Sequence, residues 1–221
     1  MRTLFKVSIA VLFFTVLAWA SNPWDSKPYT QWSQKDVLKV LNQSPWVQTK
    51  TLRVTWQEPT EKGRGAEKGR EGANRQDIVE ARWVSSKIIR EALVRQDILS
   101  GTMTEQQAAT VVSQKLPAYE MVLFGQDLSP LGKLSDADAA QAAYIMGKET
   151  KVKAVAAQAK VERAPNGQVA AVIFAFPKTV AGKPVIGPGE KQLNFQLSAN
   201  KLNLKLQFNT QQMTTKGGLD L

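Results

Sequence analysis

The 221-residue chain contains no cysteine and no histidine. Without cysteine, no disulfide staples the fold and no thiolate serves as nucleophile or metal ligand. Without histidine, Ser-His-Asp and Cys-His catalysis are excluded, together with the usual zinc sites. A Gly-rich phosphate loop is also missing: "GKPVIGPGEK" (182–191) has glycines and lysines but no strand-loop-helix context. No apolar run of membrane-spanning length occurs after residue 20. Acid is scarcer than base, with 19 Asp and Glu against 29 Lys and Arg.

What is present begins with a leader. Arg2 and Lys6 precede "VSIAVLFFTVLAWA", which ends on the small residues Ala18 and Ala20 around Trp19. This pattern describes a cleavable signal peptide over residues 1–20, and hence an exported protein, periplasmic or extracellular. The apolar run falls short of the roughly 17–25 residues that span a bilayer, so no span is expected after cleavage. Removing Arg2 and Lys6 still leaves a surplus of eight positive charges. Such a surplus favours anionic polymers of the envelope, although it also serves plain solubility.

Residues 21–30 are Pro-rich and read as an extended arm, and 31–221 as a single α+β domain. "WSQKDVLKVLNQSPW" (32–46) opens with Ser33 and Asp36 spaced as a capping box. Val37, Leu38, Val40 and Leu41 follow at helical spacing, and Pro45 stops the helix near Gln43. Two alternating segments, 47–58 and 77–85, predict strands on either side of a charged loop, 58–76. That loop repeats Glu-Lys-Gly-Arg, but its acids and bases balance from Glu58 to Asp77 and it has no aromatic. It therefore offers no specific nucleic-acid site. Helices are expected at 85–99, at 104–116 and from Ser135 through Met146, and an apolar strand, covered on both faces, at 118–124. From 151 to 221 the pattern is all strand: 151–163 and 168–178 flank a Pro-Asn-Gly turn, and 192–197 and 201–208 alternate strictly. The fold class is α+β, an antiparallel sheet with three to four helices packed on one side.

Three enzyme routes survive the missing residues. Ser198 and Lys201 have the spacing of a Ser-Lys dyad but sit in a hairpin link rather than at a helix start. Glu80 and Glu120 interrupt apolar runs and would suit a carboxylate-dependent glycosidase if brought about 5–10 Å apart. The plainer reading pairs them with an arginine such as Arg82. Asp136 and Asp138 supply too few oxygens for calcium or magnesium and favour a helix dipole anyway. No cofactor or metal is implied.

After the leader every tryptophan precedes residue 84: Trp24, Trp32, Trp46, Trp56 and Trp83. Beside Arg82 and Arg90, the residues Trp32, Trp46, Trp56 and Trp83 form the candidate binding surface. The plain alternative is core packing, with Trp56 and Trp83 facing each other across a hairpin and Trp32 and Trp46 clipping the helix onto the sheet.

The 32–46 segment resembles a family of uncharacterised exported bacterial proteins with Trp-Thr-x-x-Asp-Val-x-x-Ile-Leu-x-x-Ser-Pro-Trp after the signal peptide. The matching positions are Trp32, Ser33 in place of Thr, Asp36, Val37, Val40 in place of Ile, Leu41, Ser44, Pro45 and Trp46. "ARWVSSKIIREAL" (81–93), "FAFPK" (174–178) and the closing "LQFNTQQMTTKGGLDL" (206–221) are similar to it as well. The resemblance implies export and a shared fold, and brings no catalytic residue. The expectation is an exported, non-enzymatic binding or structural module of the bacterial cell envelope. A polysaccharide-processing glycosidase and a polyanion-binding protein are the alternatives, and an envelope protein or anionic polymer is the expected partner.

Overall fold

A computed structural model describes residues 22–54, 75–125, 127–199 and 202–221. The leader, Trp56, residues 58–74 of the charged loop and Lys201 lie outside them.

The chain enters not as an extended arm but as a helical turn, α1 (Pro23–Ser26), followed by a 3-10 turn at Tyr29–Gln31. Proline is preset for the first helical position, and Pro23 is buried there. In α2 (Gln34–Gln43) the expected capping box forms: Asp36 N donates to Ser33 Oγ, and the Asp36 carboxylate accepts from Ser33 N. Lys27 Nζ adds an ion pair at 2.7 Å. The Lys27 bond and then the Ser33 hydroxyl hold the Asp36 carboxyl down to about 2. Val37, Val40 and Leu41 are buried, whereas Leu38 turns outward.

Strands β1 (Val47–Val54) and β2 (Arg75–Trp83) pair antiparallel from Val47↔Arg82 to Val54↔Arg75. Trp83 therefore stands at the Trp46 end, where its N–H donates to Trp46 O at 3.1 Å. The expected Trp56–Trp83 pairing lies outside the described residues. Next come α3 (Lys87–Leu99), α4 (Glu105–Ser113), β3 (Ala118–Gly125) and α5 (Asp136–Ala142). The helix expected to reach Met146 ends at Ala142, and β4 (Ala143–Gly147) continues as a strand. Sheet pairing on both sides, with Ala143, Ile145 and Gly147 buried, overrides helical propensity there.

The segment 151–163 gives two strands, β5 (Lys153–Val155) and β6 (Gln158–Arg163). The break lies between neighbours: Ala156 N donates to Ala143 O, and Ala157 N to Ala175 O, in different sheets. β7 (Val169–Pro177) follows, then a small hairpin of β8 (Thr179–Val180) and β9 (Lys183–Pro184). The strictly alternating hairpin is β10 (Gln192–Ala199) with β11 (Leu202–Asn209), and a last one joins β12 (Thr214–Thr215) to β13 (Gly218–Leu219).

The fold is thus α+β with an all-strand C-terminal part, and the expected sheet divides into two. One has the order β1-β2-β3-β7-β6 and the other β11-β10-β4-β5. Their apolar faces meet through aromatic pairs: Trp83 with Phe208 at 5.4 Å between centroids, Phe174 with Phe195 at 5.8 Å, and Phe176 with Phe195 at 6.2 Å. Each such buried side chain contributes about 1.5–3 kcal/mol. The buried stripes of α2 and α3 close the same core, while α4 packs Ala108 and Val112 against Val94. β3 is not buried on both faces: Met121 and Leu123 point inward, and Val122 and Phe124 are half-buried on the far side. There the Arg82 guanidinium lies 4.9 Å from the Phe124 ring centre.

The turn between β4 and β5 is held by a buried carboxylate. Glu190 accepts from Glu149 N at 2.9 Å and Thr150 N at 3.1 Å. Burial alone would raise its carboxyl, but the amides of Glu149, Thr150, Gln192 and Lys148 outweigh burial and hold it below its ordinary value. Gly147 is required beside it, since a Cβ there would collide with Thr150 Oγ1, the Glu190 carboxylate and Val185 O.

Candidate functional site

The tryptophan motif is best followed from its own hydrogen bonds. Trp46 is fully buried, and its indole N–H donates to Asp220 O at 2.6 Å, 174 residues along the chain. The Asp220 carboxylate accepts from Ser86 Oγ at 2.7 Å, Lys87 N at 2.8 Å and Ile88 N at 3.0 Å. It thereby occupies the amino end of α3, where free backbone N–H groups and the helix dipole favour a negative charge. Ser86 caps the same helix by accepting from Ile89 N. One residue near the end of the sequence therefore ties the α2–β1 corner to the β2–α3 junction.

The other candidates are equally committed to structure. Trp32 is buried; its indole N–H donates to Lys27 O at 3.1 Å, and its carbonyl accepts from Arg95 Nε at 2.9 Å. Trp83 is buried among Phe176 and Phe208, and its indole N–H has no partner among the described residues. Arg82 bonds Glu80 at 2.6 Å. Arg90 Nη1 donates to the carbonyls of Val111, Val112 and Gln114, closing the carboxyl end of α4. Trp46 and Trp83 are buried, Arg82 and Arg90 are partly buried and bonded within the chain, and Trp32 is buried with an edge on the cleft described below. Trp56 lies outside the described residues.

The enzyme candidates are not assembled either. Glu80 stands opposite Phe124, so Glu120 is four residues further along β3, about 13 Å away at strand rise and too far for a glycosidase pair. Asp138 serves the Ser135 capping box, whose hydroxyl and amide lower its carboxyl, and Asp136 accepts from Val161 N. Ser198 accepts from Gln196 Nε2 on a strand.

Beside the Asp220 lock lies an open cleft of about 540 Å³, bounded by residues 24–29, the start of α3 and the 215–220 segment. Partly buried Trp24 and Tyr29 line it, with Trp32, Lys87, Glu91 and Asp220. Trp24 is fixed edge-on against Trp46, with centroids 5.6 Å apart. The Glu91 side chain is 13% exposed, and its ion pair is to Lys87, one helical turn back at 3.5 Å. Burial raises the Glu91 carboxyl and Lys87 offsets this only in part. Sequence reading missed this cleft. Glu91 looks like one more helix-surface acid, and nothing near Asp220 in sequence announces its partners.

Among the described residues no cluster of acids could hold a metal ion, and no helix is long and apolar enough to cross a membrane. Comparison with protein-family models, curated proteins and solved structures returns no match.

Proposed function

We propose that this is an exported, non-catalytic binding module of the bacterial cell envelope, and that its cleft takes a sugar unit of an envelope glycan. The leader with Arg2 and Lys6 and the resemblance of the 32–46 motif support export. The observation that carries the ligand class is the partly buried Trp24 and Tyr29 lining one cleft with the Glu91 carboxylate, 13% exposed and paired only at 3.5 Å with Lys87. Aromatic faces stack on the C–H side of a pyranose ring, and a poorly partnered carboxylate accepts its hydroxyls. Hydrolysis would need a second free carboxylate, and the three donors from Ser86, Lys87 and Ile88 already occupy Asp220.

The test is a tryptophan-fluorescence titration of mature protein with cell-wall oligosaccharides, while released reducing ends are monitored. Saturable quenching is expected, lost in Glu91→Gln at unchanged thermal midpoint, with no reducing ends formed. No quenching by any oligosaccharide overturns the reading. Turnover abolished by Glu91→Gln replaces it with a glycosidase.

A further inference from the structure

A second feature lies on the opposite side of the core from the first sheet. The strands β4, β5, β10 and β11 contain no aspartate and no glutamate. Their inward residues fill the core, and their outward residues are mostly amides and lysines, with Tyr144, Met146 and Val155. The register aligns Lys205, Gln196, Tyr144 and Val155 in one row across four strands, and Gln207, Asn194, Met146 and Lys153 in the next. Four strands make a row about 14 Å wide, and adjacent rows are about 7 Å apart.

The face is also pre-ordered. Tyr144 Oη donates to Gln196 Oε1 at 2.7 Å, and Lys153 Nζ lies 4.1 Å from the Tyr144 ring centre. Gln192 Nε2 donates to Asn194 Oδ1 and Gln196 Nε2 to Ser198 Oγ, so neighbouring amides along β10 fix one another. At one end, Lys148, Lys151 and Lys191 are exposed around a single exposed acid, Glu149, while the Glu190 carboxylate is turned inward onto backbone amides. The outward side of the other sheet differs: Glu80, Glu120 and Glu162 stand among Arg82 and Lys160.

We propose that the β11-β10-β4-β5 face is a docking surface for an anionic polysaccharide. Charge complementarity names the occupant. Lys153 and Lys205 on the acid-free strands, with three lysines against one glutamate at the rim, attract carboxylate or sulfate groups, and ordered amides and a phenol pair with the hydroxyls between them. The inference does not rest on the cleft reading, since the two sites share no residue.

The experiment measures retention of the mature chain on immobilised alginate, a polyuronate, with dextran as the neutral control. Retention on alginate is expected to weaken about tenfold as salt rises through the physiological range, with none on dextran. Lys153→Glu with Lys205→Glu abolishes it at unchanged thermal midpoint and unchanged cleft titration. Lys35→Glu with Lys115→Glu makes the same change of net charge on the helical part and leaves most retention intact. Equal losses in both double variants, or equal retention on dextran, overturn the proposal. Binding of an acidic protein through these lysines with no retention on alginate overturns it too.

Discussion

The two ends of this molecule treat polar side chains in opposite ways. Around Trp46 and Asp220, the Trp46 indole, the Ser86 hydroxyl and the Asp220 carboxylate join segments distant in sequence. On the β11-β10-β4-β5 face, equally polar side chains bond only their near neighbours and keep outward groups free. The first arrangement makes a lock and the second a surface. Chemical richness alone does not mark a functional site: of the candidate surface of Trp32, Trp46, Trp56 and Trp83 beside Arg82 and Arg90, the described tryptophans are buried, as the core-packing alternative expected.

Substitutions sharpen this contrast, in falling order of effect. Trp46→Ala removes a fully buried indole and its bond to Asp220, and is expected to cost about 3–5 kcal/mol in urea unfolding. Asp220→Ala leaves three donors at the α3 start without their acceptor and is expected to cost about 2 kcal/mol. Trp83→Phe should cost less than Trp46→Phe in the same assay, because the Trp83 indole N–H has no described partner to lose.

Glu190 makes stability depend on pH. Its folded carboxyl sits below the ordinary 4.5, so the unfolded chain takes up that proton first. The stabilisation is complete above 4.5 and is lost as pH falls through the depressed folded value. Thermal midpoints measured from about pH 6 down to 3 should fall, and fall less steeply in Glu190→Gln. At the bottom of the scale, Lys153→Glu with Lys205→Glu should move stability by less than about 0.5 kcal/mol while changing polyanion retention. A large loss of stability there would erase the distinction between lock and surface.

Much of the scaffold was legible in sequence because it is written locally. The Ser33–Asp36 box and the period-2 run of β10 and β11 depend on residues a few positions apart, and both appear. What was not legible depends on distant partners. The chain past Ala142 becomes a strand only because β10 and β5 flank it, and 151–163 splits because neighbouring residues serve different sheets. Asp220 shows no local pattern, and Glu91 becomes unusual only where the 215–220 segment and the entry turn lie beside it. The acid-free face was half legible: its alternation showed an exposed row of Asn, Gln and Lys. The contribution of Tyr144 and Lys153 needed the sheet order.

The lock is tested most directly by a double-mutant cycle on Trp46→Phe and Asp220→Ala, read by equilibrium urea unfolding. Alanine keeps the Asp220 carbonyl that accepts from the indole, so coupling arises because the carboxylate's bonds to the start of α3 hold that carbonyl in place, and it should reach about 0.5–3 kcal/mol. Losses that add to within about 0.3 kcal/mol would contradict it.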